Sequence, residues 1–254
     1  MMADVRPLAE VVLAHSERAV VRLGDDVFVK VDVDHARIAR EVAALSACPV
    51  PAPRVLWSQP GVVAVSAVPG VELATYGSPS PFGVDVWHRV GALVRQLHST
   101  PVPDGVVSWF DPSTLRQWIE DLRAWLVAET DVDPALVDAR ADHAIEHLAG
   151  RDVPLVYCHG DLQCQHVFVA DDERTLSIID WADAGLADPA YDLAVLTAND
   201  PARADDVLAG YGAAVDRDVI AAYRSLRRLG GLKWMIEHGF DPTGDIAALS
   251  FLSN

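Results

Sequence analysis

The chain has 254 residues, enough for one large domain or two small ones around a sizeable core. Acidic residues outnumber basic ones 37 to 20, and the formal net charge of −17 excludes a basic nucleic-acid footprint and argues against docking on anionic membranes. No apolar run reaches the roughly 18–20 residues of a membrane span, MMADVRPLAEVVLAH lacks the apolar stretch of a signal peptide, and three cysteines (Cys48, Cys158, Cys164) make no disulfide framework, so a reducing cytoplasm is the expected location.

Residues 19–23 and 27–33 are β-branched runs separated by Gly24-Asp25-Asp26 and read as a hairpin. Asp34 is placed to cap a helix over 35–47, with Ile38, Val42 and Leu45 at helical spacing, and the proline-rich run 48–53 ends it. Strands near 54–58 and 62–67 follow, divided by Gln59-Pro60-Gly61, which gives four strands and one helix in the first 67 residues. Pro69-Gly70 marks a turn, after which helical periodicity predicts helices over 85–99, 113–128 and 133–149. Three short strands occupy 154–180, and helices resume over 189–197, 201–211, 216–238 and 243–252. The expected plan is α+β and bilobal: an N-terminal antiparallel lobe (1–67), a hinge (68–72) and a larger, mainly helical C-terminal lobe (73–254), with the active site in the cleft between them.

The densest chemistry lies in Y157-C-H-G-D-L-Q-C-Q-H-V-F-V and I178-I-D-W-A-D-A-G-L-A-D-P-A-Y-D-L-A. A hairpin would carry Asp180 back beside the loop that holds His159, Asp161 and His166. Two carboxylates so placed suit phosphoryl transfer, in which one orients the attacking hydroxyl and accepts its proton while the other holds a divalent ion on the phosphates. The spacing H-x-D followed by a ligand five residues after the aspartate matches the catalytic loop of kinases.

These motifs closely resemble the aminoglycoside phosphotransferases and their relatives, small-molecule kinases with a protein-kinase-like fold, and the resemblance spans nearly the whole chain. It implies that Asp161 is the catalytic base or hydroxyl-orienting residue, and that Asp180 and His166 hold Mg²⁺ with ATP or GTP as donor. Most of the family carries Asn where this chain has His166, whereas macrolide phosphotransferases resemble it in having His; imidazole suits Mg²⁺ less well than oxygen, and a structural role for His166 stays open. Lys30 resembles the nucleotide lysine and Glu41 its ion-pair partner, while Ser66 and Val68, within VSAVPG, resemble the hinge that binds the nucleobase. Ser16, in a glycine-poor turn before Val20, is the candidate phosphate donor of the covering loop. His159, Asp188 and Asp192 read as supports for the catalytic loop, Asp188 as an N-cap before Pro189.

The basic residues comprise 18 arginines and two lysines, Lys30 and Lys233, so the lysine at position 30 stands out against the chain's usage. The expected activity is transfer of a γ-phosphate to a hydroxyl of a small molecule, an antibiotic being one option, by a monomer. Glu120, Asp121, Glu129, Asp131 and Asp133 suggest a cationic acceptor. Two alternatives remain at this level: a hydrolase with His159, Asp161, His166 and Asp180 as metal ligands, and a silent nucleotide-binding relative.

Overall fold

The structure, a computed structural model, describes residues 8–75, 78–103, 106, 111 and 113–243. Its N-terminal part is a five-stranded antiparallel sheet in the order β1-β2-β3-β5-β4, built from β1 (Ala9–Ala14), β2 (Arg18–Leu23), β3 (Val27–Asp32), β4 (Val55–Gln59) and β5 (Val62–Ser66). The sequence predicts four of these strands. It misses β1, an edge strand whose six residues AEVVLA are all exposed, so no buried face imposes an alternating pattern. Between β3 and β4 lies helix α1 (His35–Ser46), whose N-cap Asp34 accepts the Ala36 N–H at 2.9 Å.

On β3 the usual polarity of a surface strand is reversed. Lys30 and Asp32 are buried while Val31 is 43% exposed, because the polar face turns toward α1 and the cleft. The helix meets it with Ile38, Glu41 and Ala44, so a buried glutamate faces a buried lysine.

The rest of the chain is mainly helical: α2 (Val84–His98), α3 (Leu115–Glu129), α4 (Pro134–Leu148), α5 (Pro189–Leu196), α6 (Ala204–Tyr211) and α7 (Arg217–Glu237). The predicted helix over 201–211 opens with a 3-10 turn at Pro201–Arg203, and most of the helix expected over 243–252 lies outside the described residues. One continuous apolar core joins these helices, with Trp87, Trp181 and Tyr157 fully enclosed. None of the described helices is long and apolar enough to cross a membrane.

Short strands carry the chemistry onto this core. β6 (Val71–Glu72), inside the expected hinge, pairs with β8 (Val167–Val169), which pairs in turn with β9 (Leu176–Ile178). Gly70 enters that pairing at φ +96°, where a Cβ would lie 2.0 Å from the Val169 carbonyl oxygen. β7 (Val156–Cys158) pairs with β10 (Gly185–Ala187), a three-residue strand too short to give a periodic signal.

Candidate active site

The loop after β7 is shaped from beneath by one buried carboxylate. Asp192, in the first turn of α5, accepts the N–H groups of His159 (2.8 Å) and Gly160 (2.9 Å) and lies 3.0 Å from His98 Nε2. Burial opposes ionisation of Asp192, yet the hydrogen bonds and charge of His98 and the contacts to His159 outweigh it and hold the carboxyl below its usual range. Asp188 caps α5 through the Ala190 N–H at 2.9 Å and receives the Tyr223 hydroxyl at 3.2 Å. Gly160 has φ +83°, and a Cβ there would sit 2.0 Å from the Asp183 carbonyl oxygen, which accounts for the glycine of H-G-D.

His159 is fully buried. Its Nε2–H donates to the Ile179 carbonyl at 2.9 Å, and Nδ1 accepts the Asp161 N–H at 3.3 Å. With both nitrogens engaged, His159 falls outside any four-residue metal set, and burial pushes its pKa down so that it stays neutral.

Asp161 presents its carboxylate to the cleft. Gln163 Nε2 donates to both oxygens at 3.1 Å, and Arg227 of α7 pairs closely with Oδ1 while bonding the Tyr191 side chain. His166 donates from Nδ1 to the Asp161 backbone carbonyl at 2.7 Å. A carbonyl only accepts, so Nδ1 carries a proton and Nε2 is the ring nitrogen left for another partner. That nitrogen lies 3.8 Å from Asp180 Oδ2.

The β8–β9 hairpin returns Asp180 to this loop as the sequence predicts, with Ile179 N–H bonded to the His166 carbonyl at 2.9 Å. Asp180 takes a left-handed backbone at φ +63°. Its Oδ1 accepts from Arg18 at 2.8 Å and from Lys30 at 3.1 Å, and Lys30 also pairs closely with Glu41. Burial favours the neutral acid, but Lys30, Arg18 and His166 together hold the Asp180 carboxyl well below the usual carboxylate range. A second link crosses the cleft from Arg37 of α1 to Asp183 at 2.8 Å. Lys233, the other lysine, pairs with Glu237 on its own helix at 3.5 Å.

The remaining expected residues divide. The Ser66 hydroxyl accepts the Arg54 N–H at 3.0 Å and its N–H donates back at 2.9 Å, so both groups are committed to β4. Ala67 N–H bonds the Asp26 carbonyl at 2.7 Å, whereas Val68 N–H has no hydrogen-bond partner among the described residues. Beside the hinge lies a cavity of about 450 Å³ lined by Gly70, Glu72, Thr75, Ser78 and Phe168. Ser16 is exposed at the tip of the β1–β2 turn. Of the acidic residues read as favouring a cationic acceptor, Asp133 caps α4, Glu120 pairs with Arg123 at 3.2 Å, Asp121 accepts from Gln117, and Glu129 and Asp131 are exposed. Cys164 donates to the Leu196 carbonyl at 3.0 Å, and burial pushes its thiol up to about 12.

Arg18, Arg37 and Arg227 are contributors that motif spacing misses. Each comes from an element far along the chain from its carboxylate, and arginine is too common here to stand out.

Solved structures share this architecture. An aminoglycoside 2'-phosphotransferase in its GDP complex superposes with a TM-score of 0.74 at 18% identity, over 97% of this chain and 93% of that one. A macrolide 2'-phosphotransferase from Brachybacterium faecium gives 0.70 at 20%, over 97% and 93%. An aminoglycoside phosphotransferase from Streptomyces rimosus gives 0.66 at 25%, over 87% and 92%. No curated protein matches in sequence. The model of the phosphotransferase enzyme family matches residues 9–229, and this chain belongs to that family.

Proposed function

We propose that the chain is a cytoplasmic kinase that moves the γ-phosphate of ATP or GTP to a hydroxyl of a small molecule, with an aminoglycoside or macrolide antibiotic as the acceptor class. The observation that carries this reading is Lys30, a sheet lysine gripped by Glu41 and 3.1 Å from Asp180 across the cleft. An ordinary surface ion pair would not be buried, nor reach a third residue on the other wall. The acceptor class follows from relatives: the Streptomyces rimosus enzyme has been solved with ADP and streptomycin, and macrolide phosphotransferases superpose over almost all of this chain.

Asp161 is the residue that orients the acceptor hydroxyl and takes its proton. Arg227 and Gln163 fix the direction of its carboxylate, which preserves the alignment on which in-line transfer depends. Asp180 Oδ2 and His166 Nε2, 3.8 Å apart, form an oxygen–nitrogen pair that fits a divalent cation. Asp180 and His166 would hold Mg²⁺, which when bound would supply positive charge against the negative charge developing on transfer. Lys30 would contact the phosphates, Val68 N–H the edge of the base, and Phe28, which shares the inward face of β3 with Lys30, its ring.

Calorimetric titration with ATP and GTP, with and without Mg²⁺, tests this function. Metal-dependent binding should disappear in Lys30→Ala and persist in Asp161→Asn, while turnover of streptomycin or a macrolide falls about 10³-fold or more in Asp161→Asn. Absence of nucleotide binding by the wild-type protein overturns the reading. Tight binding without turnover of either acceptor class favours the silent relative.

A further inference from the structure

The turn between β1 and β2 covers the cleft where a glycine-rich loop would offer backbone N–H groups to phosphates, yet it holds His15, Ser16 and Glu17. Two of its three N–H groups are consumed locally: His15 N–H bonds the Arg18 carbonyl at 2.9 Å, and Glu17 N–H bonds His15 Nδ1 at 3.4 Å. The turn is also pinned to the end of β3, since Val33 N–H bonds the Glu17 carbonyl at 3.0 Å. A cradle of main-chain donors is therefore largely closed, and positive charge for the phosphates must come from side chains.

The side chain in position is Arg18, the first residue of β2. Its side chain is only 10% exposed, and a single nitrogen, Nη2, bonds Asp180. The buried Nε–H makes no hydrogen bond among the described residues, a costly state for a donor that could be satisfied by a bound oxyanion. A guanidinium has five N–H donors in a planar fork that matches phosphate oxygens. Arg18 also shares Asp180 Oδ1 with Lys30, so two cations converge where one carboxylate oxygen receives both.

We propose that Arg18 binds the phosphates of the donor nucleotide and does in this chain by side chain what a glycine-rich loop does by main chain. The proposal rests on the nucleotide-dependent reading above.

The test measures affinity of the full chain for ATP, GTP, adenosine and guanosine by calorimetry with Mg²⁺ present, in wild type and Arg18→Gln. Arg18→Gln should weaken the triphosphates roughly 10- to 100-fold and leave the nucleosides within about twofold. Triphosphate affinity within twofold of wild type overturns the proposal, as does an equal loss for nucleosides. An effect transmitted only through Asp180 is separated by repeating the pair in an Asp180→Asn background with Mg²⁺ still present, since the proposed binding is metal-dependent. There, Arg18→Gln should still weaken the triphosphate, and loss of the effect overturns the contact. Should Arg18→Gln fail to fold, Arg18→Lys replaces it: it keeps charge, loses the fork, and should give a smaller drop confined to triphosphates. If wild type binds nucleosides and triphosphates equally or not at all, the underlying reading fails as well, which distinguishes that failure from one of Arg18 alone.

Discussion

Between the sheet and α1, Ile38, Val63 and Val65 are the apolar residues of a small buried cluster, and Lys30, Asp32 and Glu41 are buried as well. Beyond the hinge, one core runs through all six helices and encloses Trp87, Trp181 and Tyr157. The first region contributes little apolar burial and leaves β1 entirely exposed, so much of its fastening to the second is ionic: Arg18 and Lys30 to Asp180, and Arg37 to Asp183. The second holds its site residues rigidly, because its buried charges rest on complete hydrogen-bond sets such as that of Asp192. A firmly bonded floor and an ionically tethered cover suit the proposed entry of a charged nucleotide.

Four measurements would sharpen or break this contrast. The largest effect should come from Asp192→Ala, which strands the His159 and Gly160 N–H groups and His98 in the interior; urea unfolding should show a loss of about 3–5 kcal/mol. A loss below about 1 kcal/mol would mean that the catalytic loop holds its own shape. Next, the same truncation in each core compares them directly. Val169→Ala on β8 should cost about 3 kcal/mol, and Val63→Ala on β5 about 1.5, because the thinner cluster around Val63 collapses more readily into the space left. Equal costs would erase the distinction.

The third effect is acid sensitivity seated in the floor. His159 has a folded pKa below its unfolded value of about 6.5, so its contribution is fully present above that pH and is lost as pH falls through the folded value. Unfolding free energies from urea titrations between pH 7.5 and 5.5 should fall by at most about 1.4 kcal/mol per pH unit from this group, and His159→Asn should flatten the profile. Asp192, with its carboxyl also depressed, adds to the loss only at more acidic pH. The smallest effect should be Arg22→Gln, which breaks a largely exposed pair with Glu10 on the sheet surface and should shift stability by less than about 0.5 kcal/mol.

Most elements were legible because their residues repeat with the period of the structure they adopt. Asp34 and Asp188 announced their helices as caps, and the apolar run before Asp180 announced the strand that returns it to the loop. β1 was not legible, since an exposed edge strand carries no alternation. Lys30, Glu41, Asp161, His166 and Asp180 could be assembled from spacing together with family resemblance, and the structure brings them together as expected. Their arginine partners could not be, because pairing of Arg227 with Asp161 depends on how α7 crosses the catalytic loop, which no local pattern encodes. The acidic residues near α3 and α4 could not be assigned from composition, because a cap such as Asp133 and a surface pair such as Glu120 with Arg123 use the same residue types as a binding face.

Asp180 occupies the left-handed region at φ +63°, where a side chain costs about 1 kcal/mol that glycine avoids. Asp180→Gly should accordingly relax the backbone while deleting the anion that Arg18 and Lys30 share. Glycine would recover about 1 kcal/mol of backbone strain but leave the largely buried Arg18 and Lys30 without their shared anion, which is the larger cost. The strained backbone at position 180 is thus held in place by the ion pairs it makes possible, and one residue joins the two walls of the cleft.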